Sequence, residues 1–160
     1  AAAQGNSEAQ RGLGVLFRDG HGVAQDYAEA RRWLAQAAEQ GLAVAQYEFG
    51  ALHQAGFGGA VDEASAQHWW QLAALQGHVD AQVALGSLLL QRQDFTGARE
   101  WLQQAAAQND AHAQYLLGLS YMFADDVEEH LDDIHTLWHR AAAQGHEKAQ
   151  EALRKLHGES

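Results

Sequence analysis

A short motif returns at near-constant spacing along the whole chain, and a repeat of that length folds only as supersecondary units that stack on their neighbours. Ala37-Ala38-Glu39-Gln40-Gly41 comes back as Ala73-Ala74-Leu75-Gln76-Gly77, Ala105-Ala106-Ala107-Gln108-Asn109 and Ala141-Ala142-Ala143-Gln144-Gly145, in steps of 36, 32 and 36 residues. A second marker, Ala9-Gln10, Ala45-Gln46, Ala81-Gln82, Ala113-Gln114 and Ala149-Gln150, advances by 36, 36, 32 and 36. Behind the first four pairs, at a fixed offset, stand Gly14, Gly50, Gly86 and Gly118, each preceded by a large apolar residue. Two markers with one period divide the single array 1–160 into units 6–41, 42–77, 78–109 and 110–145. Residues 1–5 read as the tail of an earlier unit, so a longer natural chain is expected, and 146–160 reads as a C-terminal capping helix.

Inside a unit the apolar spacing is helical, with no alternating run long enough for a strand. Ala9, Leu13 and Phe17 mark one stripe of a first helix that starts near Asn6-Ser7, or near Asp80 or Asp110 in later units, and stops at Gly20 or Gly56. The second helix opens at Asp26, Asp62 or Asp94 and ends at the glycine, once Asn109, that supplies a left-handed C′ residue. Sixteen glycines and no proline fit this, because glycine alone punctuates the turns. The expected fold is all-α, a right-handed α-solenoid of stacked helix-turn-helix repeats. A glycine in mid-helix costs about 1 kcal/mol against alanine, so Gly14 and its equivalents imply close helix approach. Trp33, Trp69 and Trp101 are expected across that gap, with Trp138 displaced by one position in the fourth unit.

Ala9, Leu13-Gly14, Phe17, Gly20-His21-Gly22-Val23, Asp26-Tyr27, Ala30, Trp33 and Ala37-Ala38-Glu39-Gln40-Gly41 together resemble the Sel1-like repeat, a tetratricopeptide-like motif lengthened by a Gly-x-Gly loop. The resemblance covers almost the whole chain and implies an α-solenoid that serves as a protein-protein interaction scaffold or adaptor, not a catalyst. The departures are local. The second unit keeps Gly56-Phe57-Gly58 but has Glu63 where Tyr27 stands in the first; the third passes from Arg92-Gln93 straight to Asp94-Phe95; the fourth has the loop length without its glycines, in Ala124-Asp125-Asp126-Val127.

Lys plus Arg number 10 against 21 Asp plus Glu, a formal charge of -11, which repels phosphate backbones and speaks against a nucleic-acid partner. No apolar run approaches the roughly 18 residues of a membrane span, so no membrane insertion is expected. The chain reads as soluble, with the compartment, cytoplasm or periplasm and cell envelope, left open. Without cysteine there is no thiolate metal site or thiol nucleophile. Gly118-Leu119-Ser120-Tyr121-Met122 lacks the second glycine of a nucleophile elbow, and His146-Glu147 meets Gln150 where a zinc-protease helix needs histidine. No catalytic residue, metal ligand or cofactor is therefore assigned, and a hydrolase with an unrecognised site remains an alternative. A metal-binding protein is another: His135 and His139 stand at i, i+4, a chelating spacing for Zn, Ni or Cu, with Asp132 near enough to be a third ligand. The plain alternative is a solvated helix face. The acidic run 125–133, with six carboxylates and His130, reads either as solvated surface or as a dock for a basic partner.

A stripe beside the core of the first helices offers the best binding surface. Across the units it reads Arg11, Tyr47, Val83 and Tyr115, then Val15, Ala51, Ser87 and Leu119, then Arg18, Gln54, Leu90 and Met122. It begins basic and turns apolar and aromatic, which suits a protein or peptide ligand held in a concave groove, acidic at one end and apolar at the other. Packing between units is the alternative for Val83 and Leu90. Self-association through an open first-unit face at residues 1–5 is a further expectation.

Overall fold

The computed structural model describes residue 2 and residues 5–158. Of the expected upstream tail, Ala1, Ala3 and Gln4 lie outside the described residues, and with them the proposed self-associating face. The described chain holds nine α-helices: α1 (Ser7–Asp19), α2 (Tyr27–Glu39), α3 (Ala43–Ala55), α4 (Glu63–Leu75), α5 (Val79–Gln91), α6 (Phe95–Ala107), α7 (Ala111–Met122), α8 (Leu131–Ala143) and α9 (Glu147–Leu156), with a short 3-10 turn at Val127–His130 before α8. No strand occurs among the described residues. Two compact units divide the chain, Ala1–Ala81 and Gln82–Ser160.

Side-chain caps set most of the described helix starts, though not those of α3 and α8. Asn6, Asp26, Asp62, Asp94 and Asp110 each accept from a backbone N–H in the first turn of the helix they precede. Asp80 is not a cap: it lies within α5, and His78 Nδ1 accepts from the Ala81 N–H. His146 does the same for α9 through Ala149. Gly20 and Gly56 close α1 and α3 in the left-handed region, with φ of 70° at both.

The core of the first unit gathers Ala30, Leu34, Ala37, Ala38, Ala45, Phe49 and Leu52, with Phe17, Tyr27 and Trp69 packed against it. Here the structure corrects the expected tryptophan register. A methyl group on Gly14 would meet Leu34 Cγ at 2.6 Å, and one on Gly50 would meet the Trp70 ring at 2.7 Å. In the second unit Gly86 faces Leu102 and Gly118 faces Trp138. The residue across the gap is thus one position beyond Trp33, Trp69 and Trp101, and Trp138 is in register. The indole N–H of Trp70 donates to Tyr47 O and that of Trp138 to Tyr115 O, both at 3.1 Å, so each buried indole has its partner.

The glutamine of each Ala-Gln marker has a structural task. Gln46 is 4% exposed, donates to Ala38 O and accepts from Gln76 Nε2 at 2.9 Å. Gln114, 1% exposed, donates to Asn109 Oδ1 and accepts from Gln144 Nε2 at 3.1 Å. A buried amide is tolerable only when paired, so the two sequence markers recur together because each supplies the other's hydrogen bond.

Candidate functional site

In the first unit the two arginines of the expected basic end are occupied. Arg11 makes a bidentate pair with Glu48, Nε to Oε2 at 2.8 Å and Nη2 to Oε1 at 2.6 Å, and Glu48 also lies 3.6 Å from Arg18. Arg18 pairs with Asp19 at 2.7 Å. The hydrogen bond to Glu48 raises the Arg11 pKa above its ordinary value. Tyr47 is half-buried, stacked on His78 with ring centroids 5.1 Å apart and tilted against Trp70. Burial, then the charges of Asp80 and Glu48, push its phenol pKa up. Gln54 is exposed.

The second unit brings most of its expected residues together. Leu90 of α5 and Leu119 of α7 line one groove of about 400 Å³ with Phe95, Leu116 and Phe123, and with Ser87, Gln91, His112 and Lys148 as its polar members. A second trough of about 290 Å³ continues from Leu119, Met122 and Phe123 to Trp138, Ala152 and Leu156. Phe123 belongs to both and is 66% exposed. Tyr115 stands outside these linings, half-buried, with its ring 4.9 Å from that of His146 and 6.2 Å from that of Trp138. Val83 is half-buried and lines neither. Phe95, Leu116, Phe123, His112 and Lys148 escaped the sequence stripe, since Phe95 and Lys148 lie on other helices and Phe123 just past the end of α7. Next to the groove, His112 Nδ1 and His146 Nε2 approach to 3.1 Å; burial, then His146, lowers the His112 pKa.

Part of the acidic run is used internally. Asp126 receives Arg99 Nη1 at 3.0 Å and Nη2 at 2.8 Å, and this pairing holds its carboxyl at about 2. His130 lies 3.2 Å from Asp126 and 3.1 Å from Asp133, stacked on Tyr121. Asp125, Glu128, Glu129 and Asp132 are exposed. The ligand atoms of His135 and His139 gather with those of His157, and Asp132 is not in that group.

Capped helix pairs joined by glycine turns, with glycine opposite a large side chain, define an all-α solenoid of helix-turn-helix repeats. The chain belongs to the Sel1 repeat family, whose motif matches residues 7–42, 43–78, 79–110, 111–133 and 136–146. No curated protein matches it. Among solved structures it is similar to a Sel1 repeat protein from Oxalobacter formigenes, with 30% identity and a TM-score of 0.85, covering 92% of this chain and 61% of that one. It is also similar to c5321, a protective antigen of uropathogenic Escherichia coli strains displaying an SLR fold, with 33% identity and a TM-score of 0.91, covering 97% of this chain and 34% of that one. The chain therefore spans less than two thirds of either relative. Sel1 repeats are typical of protein-protein interaction scaffolds and are generally non-catalytic. None of the described helices is long and apolar enough to cross a membrane.

Proposed function

We propose that the chain is a non-catalytic interaction module that holds a protein or peptide segment in the apolar trough of its second unit. The supporting observation is the contiguity of Leu90, Phe95, Leu119, Met122 and Phe123 along two adjoining grooves, with Phe123 66% exposed. Water-exposed rings of this kind are unfavourable unless a partner covers them, and clustered apolar exposure marks interaction surfaces. Lys148 gives the trough a cationic neighbour, so the ligand is an apolar segment bearing a carboxylate toward α9. On this reading the ligand's acidic end meets Lys148 and not the first-unit arginines, since Arg11 and Arg18 are already paired with Glu48 and Asp19. Tyr115 serves the reading less directly, through its packing on Trp138, which lines the second trough, and Tyr47 lies in the first compact unit and takes no part in it.

The test is capture of a partner from the source organism's lysate and envelope fractions by wild type, by Met122→Ser with Phe123→Ser, and by Val61→Ser. Val61 is 65% exposed and lies in the first unit, so it controls for loss of surface hydrophobicity. A protein retained by wild type and Val61→Ser but lost from the double variant supports the trough. Equal retention by all three removes it and moves attention to the acidic run 125–133.

A further inference from the structure

The last two helices bring together three imidazoles that the repeat does not require. His135 and His139 sit one turn apart on α8, and His157 is the C-cap residue of α9. Their ligand nitrogens all lie within 4.8 Å of one another, and the Nε2 atoms of His135 and His157 face each other at 2.9 Å. The ring centroids are 5.1 Å apart for His135 and His139 and 4.8 Å for His135 and His157. Burial of Ala141 on α8, and of Ala149 and Leu153 on α9, anchors these two helices, so the histidines are carried on packed elements and not on a loose tail.

We infer that His135, His139 and His157 form a three-imidazole site for a late first-row divalent cation of the zinc class. Zinc bonds imidazole nitrogen at about 2.0–2.1 Å, and tetrahedral angles then place the nitrogens of neighbouring ligands roughly 3.3 Å apart. The observed approach of 2.9 Å and outer limit of 4.8 Å bracket that value, so side-chain rotation reaches it without moving a helix. Three neutral nitrogen donors with no oxygen ligand in the group select zinc, nickel or copper over calcium and magnesium, which want carboxylates and carbonyls. Two fields favour the cation: the negative end of the α9 dipole, where His157 sits, and the net charge of -11. The cations Arg154 and Lys155 oppose it from the last turn of α9, and Lys155 is engaged by Glu151 at 2.6 Å. His139 and His157 are exposed and His135 half-buried, which leaves the fourth coordination position open to water or to a donor from another molecule.

The test is calorimetric titration of the full chain with Zn²⁺ and separately with Mg²⁺, alongside His135→Ala, His139→Ala and His157→Ala. The pair His112→Ala with His146→Ala is the control for the other imidazole contact. One zinc per chain, no magnesium binding, at least a tenfold loss of affinity in each single variant and none in the control pair are expected. His157→Ala is decisive, because its side chain is exposed and its removal does not threaten the fold. If His157→Ala binds zinc as wild type does, the site is only an i, i+4 pair and the inference fails; it fails equally if the control pair abolishes binding. Co²⁺ substitution adds an independent reading. Intense visible absorption of a four-coordinate ion that is lost in His157→Ala supports the site, and the weak spectrum of a six-coordinate ion overturns it.

Discussion

Gly12 and Gly14 lie two residues apart on α1, and replacing each with alanine should move stability in opposite directions. A methyl group on Gly12 meets nothing within 4 Å, so Gly12→Ala gains the helix-interior preference alone, about 0.5–1 kcal/mol. On Gly14 the same methyl would sit 2.6 Å from Leu34 Cγ, 3.0 Å from Leu34 Cδ2 and 3.2 Å from Ala30 O. Carbon contacts are comfortable at about 3.5–4.0 Å, so Leu34 must retreat by roughly 1 Å. It has nowhere to go, since Leu34 and Ala30 are both 0% exposed. Overpacking of that kind costs about 1–3 kcal/mol and, after the propensity gain is subtracted, leaves Gly14→Ala less stable than wild type by up to about 2.5 kcal/mol. The propensity gain is common to both, so the two variants should differ by the overpacking cost, about 1–3 kcal/mol, in urea unfolding followed by circular dichroism. Leu34→Ala should absorb most of the Gly14→Ala penalty in the double variant, whereas Trp33→Ala should leave it intact. Equal midpoints for Gly12→Ala and Gly14→Ala, or relief by Trp33→Ala instead of Leu34→Ala, would refute the packing argument.

Two further outcomes follow from local chemistry. The Asp126 carboxyl, held at about 2 by Arg99 against an ordinary value of 3.8, contributes stability that is complete above about pH 4 and is lost as pH falls toward 2. The urea-midpoint gap between wild type and Asp126→Asn should be level from neutral pH down to about 4 and close between 4 and 2; a gap of the same size at pH 2 would show that Arg99 does not act through this charge. Gln93 occupies the left-handed region with φ of 61°, where a side chain costs about 1–2 kcal/mol that glycine avoids. Gln93→Gly should raise the thermal midpoint while Arg92→Gly next to it lowers it, and a lowered midpoint for both would count against strain at Gln93.

The helix pairs, their glycine ends and the aspartate caps of the second helices were legible because each has a local cause, a period of 3.6 or an unpaired backbone group. The residue facing each glycine was not. Positions 33 and 34, like 69 and 70, are neighbours about 100° apart on a helix, and aligning tryptophans across units chose the wrong one. Only the close approach at Gly14 and Gly50 separates Leu34 and Trp70, which face the glycines, from Trp33 and Trp69. Histidine caps were missed for a similar reason: His78 and His146 occupy the register of Asn6 and Asp110, but imidazole nitrogen is an uncommon acceptor there. His157 could not be joined to His135 and His139 without knowing how α9 lies on α8.

Once the register is corrected, the chain repeats over two units. Leu34 and Leu102 face glycines in the first and third sequence repeats, Trp70 and Trp138 in the second and fourth. The repeats in which an indole faces the glycine carry matching clusters, Tyr47 with Trp70 and His78, and Tyr115 with Trp138 and His146. Arg31 donates to Leu52 O as Arg99, 68 residues later, donates to Ser120 O. The apolar trough lies where this doubled pattern breaks. In the first half Tyr27 is covered by the Phe57 ring of the Gly-x-Gly loop, with centroids 4.6 Å apart. Moving each by 68 residues gives Phe95 and Asp125, and a carboxylate cannot cover a ring. Phe95 turns instead to a groove shared with Phe123, which stands where the first half has Ala55. The altered loop thus does two things at once: Asp126, in the place of Gly58, pairs with Arg99, and Asp125, in the place of Phe57, leaves Phe95 without the ring that covers Tyr27. On the proposed function, binding capacity in such an array comes from the places where one copy no longer satisfies its neighbour as the other copy does.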